Sequence, residues 1–201
     1  MSDSFNIERL RKEAKSRFLA ALRDRSFDEA KRELECNPNL PEESIHAACA
    51  IGDVDGVAYH LELDPESINV KEEGWTPLLY ACTSRFHELS QRHARGLVAC
   101  VKLLLDRGSD PNSFTLADPS DPDSKLPALY LSIMNSSLSA LLVERRAVPR
   151  GLGGWGKGPG IRSEALNRRH GLAQGESNSI KSLYEKDPDF RDQMVQPNGI
   201  V

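Results

Sequence analysis

The chain has 201 residues, 39% of them hydrophobic and 28% charged, which is apolar content enough for one domain with a tail or for a short repeat array. Its 26 basic and 30 acidic side chains are interleaved and leave a net charge of -4, so no basic field awaits a phosphate backbone and nucleic-acid binding is not expected. No window approaches the ~18 uninterrupted apolar residues of a membrane span, and MSDSFNIERLRKEAK has no apolar run behind basic residues, so a soluble, cytoplasmic chain is expected.

The first periodicity lies in IERLRKEAKSRFLAALRD, where Ile7, Leu10, Ala14, Phe18 and Leu22 fall near one helical face. A shorter helix, SFDEAKRELECNPNL, is expected to start after a Ser26 cap. Residues 5–40 read as a capping helix pair, and Arg9, Arg11, Lys12, Glu13 and Lys15 suit an end unit with one face in water. Glu8, Glu13 and Asp24, set among the Arg and Lys, argue against a basic helix for a membrane surface.

Next come two segments with a common plan. ESIHAACAIGDVDGVAYHLELDPESINV opens a short helix on Ile45, passes an Ala-Cys pair and a second helix, and closes on Asn69. GWTPLLYAC begins the same plan again, so that Cys49 and Cys82 stand one 33-residue period apart, each after an alanine. Thr76 is placed to cap a helix by accepting from an amide two or three residues on, and Pro77 takes the first helical position, where its missing donor does no harm. In the following helix Leu97, Val98, Val101, Leu104 and Leu105 make one apolar stripe, with Lys102, Asp106 and Arg107 off it, and Gly108 supplies the left-handed residue that ends it. Helix pairs this short cannot bury their stripes alone, so each needs a neighbouring copy. Ala48, Cys49, Ala81 and Cys82 are small because successive helices approach closely there, and the widely spaced cysteines read as reduced packing residues.

Gly74, Thr76, Pro77, Leu78, Ala81, Leu104, Leu105, Gly108, Asp110 and Asn112 stand where the ankyrin repeat pattern places such residues, and the chain resembles that family over 74–112 and more loosely over 42–70. The resemblance implies an all-α fold, a short ankyrin-type helical solenoid with hairpin turns and a largely irregular C-terminal tail. Its units would be 42–70, 74–113 with an insert at 85–95, and a degenerate unit at 126–149. The chain looks similar to bacterial ankyrin proteins in which a GWTPLL unit carries a long insert. What the family implies for function is a non-enzymatic, monomeric protein–protein interaction module with an unknown protein partner and no cofactor. Carried onto matching positions, its concave docking surface would be Glu72, Glu73, Trp75, Thr83 and Ser84, with Ala50 and Ile51 in the preceding unit. Two readings of Trp75 stand side by side, an outward anchor for a partner or a ring packed on the neighbouring hairpin.

TSRFHELSQRHAR makes the central unit about ten residues longer than a standard repeat, and SFTLADPSDPDSK extends the next hairpin as an acidic, Pro-punctuated loop. Either is a place for partner contacts or a solvated loop. The third unit, LPALYLSIMNSSLSALLVERRAVPR, offers Leu129, Ile133, Leu138, Leu141 and Leu142 but has Arg146 to Arg150 where a glycine turn belongs. The Gly-rich segment 150–201 carries no further period and is expected to be disordered, with a truncated or frame-shifted end as the alternative account. GLGGWGKG at 151–158 nearly matches a phosphate-binding loop, but Gly158 replaces the hydroxyl and Gly158-Pro159-Gly160 denies it a helix, so nucleotide binding is the remote alternative. His87, Glu88 and His93 are not spaced as HExxH, so a hydrated insert is favoured over a metal site. No nucleophile set is evident, and no catalytic residue is expected.

Overall fold

In the computed structural model, which describes residues 2–122, 124–132, 135–145 and 147, the chain divides into two compact units, Met1–Asp110 and Pro111–Val201. The expectations for Ile133, for the turn at 146 and 148–150, and for the tail through 201 lie outside the described residues.

The first unit is built from short helices whose ends follow the local chemistry. Helix α1 spans Ser2–Arg23, α2 Phe27–Cys36 and α3 Leu40–Glu43. Ser26 does stand before α2, yet its side chain makes no capping hydrogen bond, so the expected cap is absent as an interaction. Helix α4, Ile45–Ile51, stops at Gly52, which is left-handed at φ 78°, and α5, Val54–Leu63, starts where Asp53 accepts from the Gly56 amide. A 3₁₀ turn at Pro65–Asn69 leads to a hairpin tip in which Glu72 and Trp75 exchange two backbone hydrogen bonds of 3.0 Å. Glu73 and Gly74 between them both have positive φ, 54° and 84°, the mark of a type I′ turn. Gly suits that conformation and Glu does not.

Thr76 then caps α6, Pro77–Thr83, by accepting from the Leu79 amide at 3.4 Å, with Pro77 at the first helical position as its chemistry demands. Most of the insert is exposed or half-buried, and Phe86 alone in it is buried. Phe86 lies in a 3₁₀ turn, Phe86–Glu88, with none of its surface exposed, and α7 already begins at Gln91, capped by Ser90, and runs to Asp106. Its buried stripe is Leu97, Cys100, Val101 and Leu104, with Val98 and Leu105 only half-buried, and Gly108 follows at φ 99°.

Ala48, Cys49, Ala81 and Cys82 are all buried, but the tightest crossing is at two glycines. A Cβ on Gly96 would sit 2.1 Å from the Gly52 carbonyl oxygen, so α7 passes the end of α4 in backbone contact. Asn69 ties the two helix pairs at their other ends: its Oδ1 accepts from the Ser109 hydroxyl at 3.3 Å and from the Asp110 amide at 3.4 Å.

In the second unit, β1 (Phe114–Leu116) pairs antiparallel with β2 (Lys125–Pro127), Thr115 opposite Leu126. The acidic connection between them is held by Asp118 and Ser124: the Asp118 carboxylate accepts from the Ser120 amide at 2.9 Å and the Ser124 hydroxyl donates to the Asp121 carbonyl at 2.6 Å. Helices α8 (Ala128–Leu131) and α9 (Ser136–Glu144) follow, and Asn135 caps the latter. Leu129, Leu138 and Leu142 are buried and Leu141 half-buried, with the Ser132 and Ser139 hydroxyls joined at 3.0 Å in the interior.

Candidate functional site

The surface that the repeat pattern assigns to a partner is made by the inner helices α4 and α6 and by the tip Glu72–Trp75 before α6. Helix α1 packs against both α4 and α6. Its apolar stripe brings Ala14, Phe18, Leu19 and Leu22 into one cluster with Ala47, Ala50, Tyr80 and Phe86. The Phe86 ring meets Phe18 at 6.2 Å and Phe27 edge-on at 5.3 Å, and the Arg85 guanidinium sits over the Phe27 ring at 5.4 Å. Of the pair expected at 5–40, α1 thus packs against the inner helices of two successive units, with Phe86 in the same cluster.

This arrangement sorts the anticipated docking residues. Ala50 is fully buried and Ser84 is 2% exposed, so neither can touch a partner in this fold. The Ser84 hydroxyl instead donates to the Ala50 carbonyl at 2.5 Å and accepts from the Phe86 amide at 3.1 Å, joining the two inner helices to the insert. Ile51 and Trp75 are half-buried against the same cluster, and the indole ring lies 5.5 Å from the Tyr80 ring. The Trp75 ring is thus packed on Tyr80 in part and open to solvent in part, and both readings of it stand. Thr83 is half-buried, and its hydroxyl is a buried oxygen with no hydrogen-bond partner.

Glu72 and Glu73 are tied down by α1 and α4. Lys15 forms an ion pair with Glu72, and Arg23 with Glu73 at 3.4 Å. Arg23 also donates to the Glu73 carbonyl at 2.9 Å, and Ser16 to its carboxylate at 3.2 Å, which holds a left-handed glutamate in place. Buried His46 points Nδ1 at the Glu72 carboxylate, 3.1 Å, and Nε2 at the Val70 carbonyl, 2.9 Å. The imidazole hydrogen bond, with Lys15 added and burial opposing, holds the Glu72 carboxyl down at about 2. The Tyr80 hydroxyl donates to the Glu72 carbonyl at 3.1 Å, and burial pushes its ionisation well above the usual phenol range. The tip is therefore a corner tied to α1 by Lys15 and Arg23 and to α4 by His46.

Chemistry at other positions is muted for the same reasons. Burial raises the Cys49 and Cys82 thiols and takes Cys100 up to about 12, so none is a thiolate nucleophile near neutral pH. Among the described residues no group of His, Cys, Asp and Glu is arranged to hold a metal ion, and no helix is long and apolar enough to cross a membrane. His87 spends its Nδ1 on the Ser84 carbonyl at 3.0 Å, while His93 Nδ1 lies 2.8 Å from the Ser90 hydroxyl.

Sequence reasoning missed Phe86, Arg85 and the Gly52–Gly96 crossing. A lone aromatic in a polar stretch is the one signal that pointed to the first. The family model for the ankyrin repeat matches residues 73–116, the stretch from the hairpin tip through α6 and α7 into β1. No curated protein and no solved structure matches the chain.

Proposed function

We propose that this chain, an ankyrin-repeat protein through residues 73–116, acts as a non-enzymatic protein–protein interaction module. The observation that carries the proposal is the repeat itself, realised as a bonded hairpin tip and the helix pair α6 and α7, an architecture that offers rigid surfaces. No cofactor or metal enters the reading. Of the anticipated surface, Glu73 is exposed and Ile51, Glu72, Trp75 and Thr83 are half-buried, so these five remain for a partner to touch. The partner is a protein engaged by surface complementarity.

The test is chemical cross-linking and affinity purification of the full chain from its native host. A protein partner recovered in stoichiometric amount is the expected result; a chain recovered alone under several mild conditions would overturn it. Trp75→Ala separates the two readings of the ring: a melting midpoint lowered by several degrees with capture retained makes it packing, and the reverse makes it an anchor.

A further inference from the structure

The charges of the first unit are distributed unevenly. On α1 and α2 the basic groups are matched, with Arg11 on Glu43, Lys15 on Glu72, Arg17 on Glu33 and Lys31 on Glu35. Between Arg32 and Lys71, however, the chain holds no Lys or Arg at all. Helix α5 and the 3₁₀ turn after it lie inside that stretch, and Asp55, Glu62 and Glu66 are exposed there without an ion pair among the described residues.

The same helix shows two large side chains to water. Tyr59 is 57% and Leu63 67% exposed, one helical turn apart and therefore on one face, opposite the buried pair Val57 and Leu61. Asp55 lies one turn before Tyr59 and Glu62 three residues after it, next to Leu63, so carboxylates adjoin both members of the apolar pair. An exposed apolar pair set among unmatched charges of one sign has a complementary partner by elementary electrostatics.

We propose that the outer face of α5 is a docking surface for a cationic segment of another protein, one that presents one or two large apolar side chains flanked by Lys or Arg. The apolar side chains would cover Tyr59 and Leu63, and the cations would meet Asp55, Glu62 and Glu66. A nucleic acid or an anionic membrane is repelled by the same carboxylates. A second copy joined through this face would set like charges opposite each other, which disfavours self-association. The inference rests on the interaction-module reading and names the class of partner and the face it uses.

The direct test is a titration of the full chain, labelled with ¹⁵N, with a short synthetic amphipathic peptide of Lys and Leu, its scrambled version and its Glu-for-Lys counterpart. The expected result is saturable binding of the first peptide alone, with amide shifts centred on 54–70. It should weaken at least about tenfold in Tyr59→Ser/Leu63→Ser and in Glu62→Lys, the size of change expected for losing an anchor or reversing a charge. Both variants alter exposed side chains, and their melting midpoints serve as the folding control. Absence of saturable binding, equal binding of the scrambled peptide, shifts centred elsewhere, or variants that bind as the parent does would each overturn the proposal. In the native host, a protein that co-purifies with the parent and is lost with Tyr59→Ser/Leu63→Ser supports it. A partner retained by that variant overturns this face while the module reading stands, and no partner with either chain overturns the module reading itself.

Discussion

Glu72 concentrates more of the fold's polar bonding than any neighbour, since Lys15 and His46 both address its carboxylate and its own carbonyl receives Tyr80. Its ionisation lies near 4.5 in an unfolded chain and about 2 in the folded one. A depressed carboxyl stabilises the folded state fully above the unfolded value and loses that contribution as pH falls from there toward the folded one. Urea unfolding should therefore show a loss of ~1–2 kcal/mol across that acid window, discounted for a partly solvated group, and Glu72→Gln should flatten it. Equal acid sensitivity of parent and variant would contradict this. Thr83 makes the opposite case, because its buried hydroxyl has no partner. Thr83→Val removes an unmet polar group at nearly constant shape and should leave stability unchanged or raise it by ~1 kcal/mol, with no loss in partner capture; a lower midpoint in calorimetry would show the hydroxyl to be bonded in solution.

At the scale of elements, the helix starts at Asp53, Thr76 and Ser90 and the stops at Gly52 and Gly108 obey local rules, and those of Thr76 and Gly108 were legible in the sequence. Ser26 was read by the same rule and fails it: the preceding Arg25, at φ 57°, and the tight turn from α1 set a backbone in which no cap bond forms. The burial of Phe86 within the otherwise largely exposed insert was hidden for a different reason. SRFHELSQRH has no apolar period, and one phenylalanine cannot announce that a cluster from another element waits for it. Phe86→Ala should cost about 3–5 kcal/mol, the loss for emptying a buried aromatic site, whereas a solvated loop would give almost none; denaturant melts decide between them. Gly96→Ala places a methyl against the Gly52 backbone, which cannot yield as a side chain would. A loss of about 1–3 kcal/mol is expected, seen as a lower melting midpoint, although alanine is the better helix former. A neutral substitution would mean that α4 and α7 are further apart.

For the first unit as a whole, the sequence stated that α1 must bury a stripe and was silent on where. A periodic face specifies an amount of apolar surface to be covered, and the choice of cover depends on which other surfaces are left open. Here Ala47, Ala50, Tyr80 and Phe86 were left open by the pairing of α4 with α6, and α1 covers them. The burial of Ala50 and Ser84, two residues of the anticipated concave surface, was hidden by the same omission. The tip turn was also hidden, because a glutamate seldom adopts φ 54°, and the bonds from Arg23 and Ser16 that hold it come from a helix distant in sequence. Deleting residues 1–25 should then expose that cluster, giving strong binding of an apolar dye and a broad, weakly cooperative thermal transition. A truncated chain that melts sharply near the parent's midpoint would show that α4 to α7 form a complete core without α1.

The partnership of Phe18 with Phe86 has a consequence for the order of events during synthesis. Residues leave the ribosome from the N-terminus, so α1 emerges with its apolar stripe long before α6 and the 3₁₀ turn that receive it. Until Phe86 is outside, that stripe has only α2 and the first inner helix for company. The nascent chain thus carries an unfinished surface over most of the first unit's translation and closes it in a late step whose loop, from Phe18 to Phe86, spans more than half of the unit. A helical protein built this way is slower to fold than its short local helices would suggest.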